Sequence, residues 1–207
     1  MSAGRFRKYL GKFIANDIEC VNGIARTQLA QDDLVVNVIP MTSLRVWDAL
    51  QTNLPGTAAT DDLALIGGTF ATASPKVSAG DLKAAGATTR YARFQVALPT
   101  NYVSGETVTL RLYCGMGTTV AGTSCTVDAQ VYEADGAAGI SADLCTTNAQ
   151  SMNSLTFANK DFTITPTALV AGDVLDIRIA VACNDAATGT VVEPIVGKIS
   201  LLTDVKG

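Results

Sequence analysis

Two stretches of this chain repeat each other at a constant offset of 67 residues, and that spacing narrows the folds open to it. Val103 matches Val170, Gly105 matches Gly172, and Glu106 matches Asp173. Val108, Leu110, Arg111 and Leu112 then match Leu175, Ile177, Arg178 and Ile179, and the register carries on to Gly122/Gly189 and Thr123/Thr190. The first copy follows the strand-like run Phe94 to Pro99, the second follows Phe162 to Pro166. Within each copy apolar and polar residues alternate, which is the period of a strand with one covered face. A glycine followed by an acid launches each strand, and glycine tolerates the positive φ of many tight turns. Two half-buried antiparallel units can cover each other as a sandwich, and two similar units in one chain point to a jelly roll of two Greek keys. The expected fold is therefore all-β, an antiparallel jelly-roll β-sandwich preceded by an extended or partly helical N-terminal arm.

With 207 residues the chain has room for one sandwich and something extra at an end. A domain of that size buries about 70% of its unfolded surface and needs neither disulfide nor metal for stability. Charged residues make up only 16%, which suits either an ordinary β protein or a subunit of an assembly. The net charge of −4 is uneven: Arg5, Arg7, Lys8 and Lys12 precede the first acid, Asp17, which leaves −8 on residues 17–207. An acidic body argues against nucleic acid as the main partner. Five cysteines with no CxxC spacing, and no histidine, argue against the usual zinc sites. Cys114 and Cys125 flank a loop, so a bridge between them is geometrically open, while reduced core thiols suit a chain assembled in cytoplasm.

Residues 1–40 read as a separate arm and residues 41–207 as the sandwich. Phe6, Tyr9, Leu10, Phe13, Ile14 and Ile18 fall near helical spacing with Arg5, Lys8 and Lys12 between them. Such a segment packs on its own domain, reaches a neighbouring subunit, or lies on a membrane surface. Lys12 and the following Asn16, Asp17 and Glu19 speak against a signal peptide, and no run reaches the length of a membrane span. Leu34 to Ile39 predicts a short strand ended by Pro40, which would either join the sheet or lie along another chain. Trp47, the only tryptophan, reads as a packing anchor, with sugar stacking the sharper alternative. Leu63 to Ile66 is expected to open the sandwich, with strands to follow at 76–78, 90–98, 106–114, 125–133, 154–157, 160–165, 173–183 and 193–204. In the last of these, Ile195, Gly197, Ile199 and Leu201 would share one face. Lys160–Thr165 and Asp173–Cys183 are expected to form the second copy of a hairpin.

No catalytic constellation is legible. Without histidine a Ser-His-Asp or Cys-His arrangement is impossible. Asp32-Asp33 and Asp61-Asp62 are adjacent, so on extended backbone each pair points to opposite faces, and Asp61-Asp62 reads better as turn chemistry. Asp81, Asp135 and Asp185 sit in loops without a D-x-[DN]-x-[DN]-G calcium pattern. Gly115-Met116-Gly117 lacks the Lys-Ser/Thr of a phosphate loop. Arg111 and Arg178 should face outward on matching strands, either paired with acids across the sheet or marking a ligand surface. The chain is thus expected to be no enzyme, with no catalytic residues, cofactor or metal.

A basic arm, then Arg45-Val46-Trp47-Asp48-Ala49-Leu50, then Ala79 to Tyr91 and a β-sandwich, resembles the cement (decoration) proteins of tailed-bacteriophage capsids. The resemblance implies a virion protein, made in the host cytoplasm, that sits on the outer capsid surface as a homotrimer. It would stabilise the shell by clamping neighbouring major capsid protein subunits, with neither nucleic acid nor membrane as a partner. Arg5, Phe6, Arg7, Lys8, Tyr9, Leu10, Lys12 and Phe13 would form the gripping arm, charges complementing an acidic coat and aromatic residues anchoring it. The rival reading is a jelly-roll receptor- or carbohydrate-binding module of a phage tail or secreted protein. A carboxylate-based hydrolase would need two acids from distant strands.

Overall fold

The two glycine turns of the repeat are one turn built twice. Gly105 has φ +85° and Gly172 φ +92°, a left-handed conformation that glycine adopts without a Cβ penalty. The Glu106 N–H donates to the Val103 carbonyl at 3.0 Å, and 67 residues later the Asp173 N–H donates to Val170 at 3.3 Å. The equivalence reaches further upstream than the side chains suggest. Tyr102 N–H to the Pro99 carbonyl and Leu169 N–H to the Pro166 carbonyl are both 3.0 Å. Tyr102 and Leu169, one aromatic and one aliphatic, are both buried there.

The structure, a computed structural model, describes residues 32–134, 136, 139–186 and 189–206. The strands in chain order are β1 (Asp32–Ile39), β2 (Arg45–Val46), β3 (Ala49–Asn53), β4 (Ala64–Ile66), β5 (Lys76–Ser78) and β6 (Thr88–Ala97). They continue as β7 (Val108–Met116), β8 (Ser124–Glu133), β9 (Gln150–Ser151), β10 (Ala158–Ile164), β11 (Val174–Asn184) and β12 (Pro194–Lys206). One sheet runs β10-β7-β12-β5-β4, with β1 also on β12; the other runs β3-β2-β6-β11-β8-β9. All strand pairs are antiparallel, so the chain is an antiparallel β-sandwich of jelly-roll type.

The repeat strands β7 and β11 lie in opposite sheets and supply the centre of the core. Val108, Leu110, Leu112 and Cys114 face Leu175, Ile177, Ile179, Val181 and Cys183, and all are buried. The expected hairpins do not form. β6 pairs with β11 and β10 with β7, so each strand pairs with the opposite copy. The loops after β6 and β10 carry the chain across the sandwich, because the apolar faces must meet through the core rather than lie side by side. Phe94 sits opposite Ile177 and Phe162 opposite Leu110, the same pairing made twice with the copies exchanged.

Three further expectations need correction. β1 precedes Leu63–Ile66 in the sandwich and pairs with β12 along its full length, although it lies on the arm side of the boundary expected near Pro40. Ser154–Phe157 is no strand: the chain bends there so that the Ser154 carbonyl accepts from Met116 N–H at 2.8 Å, and the Phe157 ring lies over Gly115. The residues 154–157 stay close only because Gly115 has no side chain, since a Cβ would meet Phe157 at 2.9 Å. In β12 a bulge at Gly197 shifts the register, so Val196, not Ile195, joins Ile199 and Leu201 on the core face. Arm residues Arg5, Phe6, Arg7, Lys8, Tyr9, Leu10, Lys12 and Phe13 lie outside the described residues.

Candidate functional site: the open face of the second sheet

β11 is the central strand of its sheet, and its alternation leaves Asp176, Arg178, Ala180 and Ala182 on the outer face. Register then dictates their neighbours. Arg178 lies between Arg93 and Gln130, Ala180 between Tyr91 and Asp128, and Ala182 between Thr89 and Thr126. Asp176 lies between Gln95 and Tyr132. Large residues at one end of β11 and alanines at the other hollow the face into a trough of about 230 Å³, floored by Ala180 and Ala182. A second depression of about 290 Å³ adjoins it at Arg178 and Gln130 and reaches Trp47, Asp48 and Tyr132.

Trp47 reaches this face because β2 pairs with β6, which places the turn between β2 and β3 at the edge of the trough. Its indole Nε1 donates to Asp61 Oδ2 at 3.0 Å, and its ring meets Tyr91 at 5.3 Å, tilted by 50°. The Arg178 guanidinium lies over both rings, 5.2 Å from Trp47 and 4.8 Å from Tyr91, and donates to Gln130 Oε1. A cation over an aromatic face gains about 0.5–2 kcal/mol, more as water is excluded. Trp47 is therefore both the anchor of its turn and part of an aromatic cluster, where the sequence shows a tryptophan without aromatic neighbours.

Beside it Arg93 donates through Nε to Asp176 Oδ1 at 2.7 Å and through Nη2 to Oδ2, a bidentate pair. Gln95 Nε2 adds 3.2 Å to the same carboxylate, which is buried. This bond to Asp176 holds the Arg93 guanidinium above its ordinary pKa. Arg93 and Arg178 sit directly opposite each other, a like-charge contact that Asp176 relieves on one side only. Among the described residues Arg178 makes no ion pair. At the rim, burial and then the Asp61 and Asp48 carboxylates push the Asp62 carboxyl above its ordinary pKa, against the Trp47 backbone N–H. Asp62 Oδ1 is buried and finds no hydrogen-bond partner among the described residues.

The two outward arginines of the repeat thus part company. Arg111 pairs with Asp161 through Nε at 2.7 Å and Nη2 at 2.6 Å, as expected of a cross-sheet ion pair. Arg178 has no such acid and joins the aromatic cluster instead. Asp61 and Asp62 do serve a turn: Asp62 N–H donates to Ala59 and Tyr91 N–H to the Asp61 carbonyl, both at 2.7 Å. Asp81 accepts from Lys83 and Val192 N–H, and Asp185 from Ala84 and Gly122 N–H, so these loop acids bind backbone. No group of described residues has the makings of a metal site. The four described cysteines are free thiols, so Cys114 and Cys125 form no bridge, and Cys125 lies opposite Cys183 on the neighbouring strand. Burial pushes the Cys114 thiol up to about 11. Sequence reasoning missed Tyr91, Arg93, Gln130, Tyr132 and Asp176. The outward polar alternation of β8 was visible, whereas the strand beside it was not.

No protein-family model matches the sequence, and no curated protein matches it. Among solved structures, the chain is similar to the CBM22-1 xylan-binding domain of Paenibacillus barcinonensis Xyn10C. The identity is 8%, the match covers 86% of this chain and 98% of that one, and the TM-score is 0.41. It is similar also to a xylan-binding module, CBM15, at 13% identity over 84% of this chain and 100% of that one, with a TM-score of 0.44. These are likenesses of β-sandwich architecture, and the functional reading rests on the side chains.

Proposed function

We propose that this chain is a non-catalytic module that binds an extended polysaccharide along the open face of its second sheet. The observation that carries this reading is that two depressions adjoin at Arg178 and Gln130, one lined by Tyr91, Asp128, Thr89 and Thr126 and the other by Trp47. A sugar ring offers apolar C–H faces and a girdle of hydroxyls. The alanine floor and the aromatic edges suit the first, while the amide and guanidinium donors and the carboxylate acceptor suit the second. An open trough on a sheet face fits a chain that enters and leaves rather than a small enclosed molecule. Asp176, the most buried acid of the face, is held by Arg93 and Gln95 and serves the architecture rather than proton transfer.

Titration calorimetry against a panel of soluble polysaccharides tests this. Binding to at least one, weakened tenfold or more in Arg178→Ala and Tyr91→Ala, is the expected result. Binding to none, or binding that both variants leave intact, overturns it.

A second reading is favoured by a separate observation. Leu34, Val36 and Val38 are 57%, 49% and 56% exposed on edge strand β1, and Phe70 is 99% exposed in the loop after β4. Such apolar exposure suits a subunit of an assembly. It supports the virion reading, in which a homotrimer clamps major capsid protein subunits through Arg5, Phe6, Arg7, Lys8, Tyr9, Leu10, Lys12 and Phe13. Co-sedimentation of the purified protein with phage heads distinguishes the two.

A further inference from the structure

β1 occupies the edge of its sheet, beside the C-terminal half of β12, and its eight residues pair in unbroken register from Asp32↔Lys206 to Ile39↔Ile199. Ile39 points into the core, so Leu34, Val36 and Val38 share the outer face. Across β12 they meet Asp204, Leu202 and Ser200, and Leu202 is buried although it faces outward. The result is an apolar stripe on an edge strand. Natural edges are usually blunted by proline, lysine or a bulge, and residues 32–39 contain none of these.

The residues that lead into β1 have the matching chemistry. Phe6, Leu10, Phe13, Ile14 and Ile18 fall near helical spacing, with Arg5, Lys8 and Lys12 interleaved. Eight helical rises, from Phe6 to Ile14, cover about 12 Å. The stripe from Leu34 to Val38 is about 13 Å at strand rise. Residues 19–31 extend to as much as about 40 Å, ample for the chain to turn back at Asp32 and run over the strand that it feeds. Charge agrees with the docking, since Asp204 lies directly opposite Leu34 at one end of the stripe and the segment carries Arg5, Lys8 and Lys12. A tethered segment also acts at an effective concentration near mM, which a second copy at micromolar concentration cannot match.

We propose that residues 5–18 dock their apolar side on the Leu34, Val36 and Val38 stripe of the same chain. This goes beyond the polysaccharide reading, which concerns the other sheet. In a shell-binding protein the same segment would have to leave β1 before gripping a neighbour.

The test uses the full chain at low micromolar concentration with a benzophenone amino acid in place of Phe13. Irradiation should link position 13 to a peptide containing residues 34–38 at monomer mass, and Val36→Asp and, independently, Leu10→Asp should each abolish that link. Far-ultraviolet circular dichroism confirms that the variants keep their strands. A link at dimer mass, a link to another part of the chain, or a link that survives both substitutions in folded protein overturns the proposal.

Discussion

The outer faces of β7 and β11 start from the same repeat and end with different chemistry. Both strands bury their alternate apolar residues against each other, both follow the same glycine turn, and both present an arginine at the matching position. On β7 the neighbour of that arginine is Asp161 of β10, and the result is an exposed ion pair. On β11 the neighbours are Arg93 and Gln130, and a hairpin from elsewhere in the chain lays Trp47 under the guanidinium. The repeated element makes the scaffold, and the unrepeated strands around it make the site. A duplicated strand keeps its core face because the opposite sheet demands it, while its outer face answers only to the neighbours it receives.

If the two copies are equal in the core and unequal outside, truncations should reveal both. Leu110→Ala and Ile177→Ala remove matching, fully buried side chains and should each cost about 2–5 kcal/mol in urea denaturation. A large gap between them would break the equivalence of the copies. Arg93→Ala leaves the buried Asp176 carboxylate with Gln95 as its remaining side-chain partner and should cost about 2 kcal/mol. That lies below the usual loss for a fully buried pair because the Arg93 side chain is 31% exposed. Arg111→Ala, which opens the exposed pair with Asp161, should barely move the melting temperature and should leave polysaccharide binding unchanged. Loss of binding in that variant would place the ligand on the wrong sheet.

The finest contrast is one of pH. The Asp161 pKa lies below its ordinary value, chiefly through its hydrogen bonds from Arg111. The stability that it contributes is therefore present above the unfolded pKa and lost as pH falls through the folded one. Asp62 runs the other way: its folded pKa is raised, so its contribution is full below the unfolded pKa and lost as pH rises through the folded value. Asp62→Asn should accordingly raise the neutral-pH melting temperature, by less than the roughly 2–4 °C that 1 kcal/mol brings in a domain of this size. The gain should vanish in acid, and thermal melts across the acidic range check both signs.

Much of the fold was legible because burial imposes a period of two on the residues themselves. Val108 to Leu112 and Leu175 to Ile179 declare a strand and its covered face whatever lies beside them. Gly105 and Gly172 announce a turn through the one conformation that their neighbours avoid. Pairing is another matter. β6 follows its own apolar pattern whether it pairs with β7 or with β11, and nothing local to Phe94 names Ile177 as its partner. The Gly197 bulge likewise left the alternation of β12 looking regular while it moved Val196 onto the core face.

The trough was the least legible part for the same reason. Trp47, Tyr91, Gln130 and Arg178 come from β6, β8, β11 and the turn after β2, and each reads alone as an ordinary strand or turn residue. Their meeting depends on strand order and register, which are long-range choices settled by how the two apolar faces close over one core. Alternation, turn chemistry and the absence of a histidine-based active site belong to the chain. The place where an arginine finds two aromatic rings instead of an acid belongs to the assembled sheet.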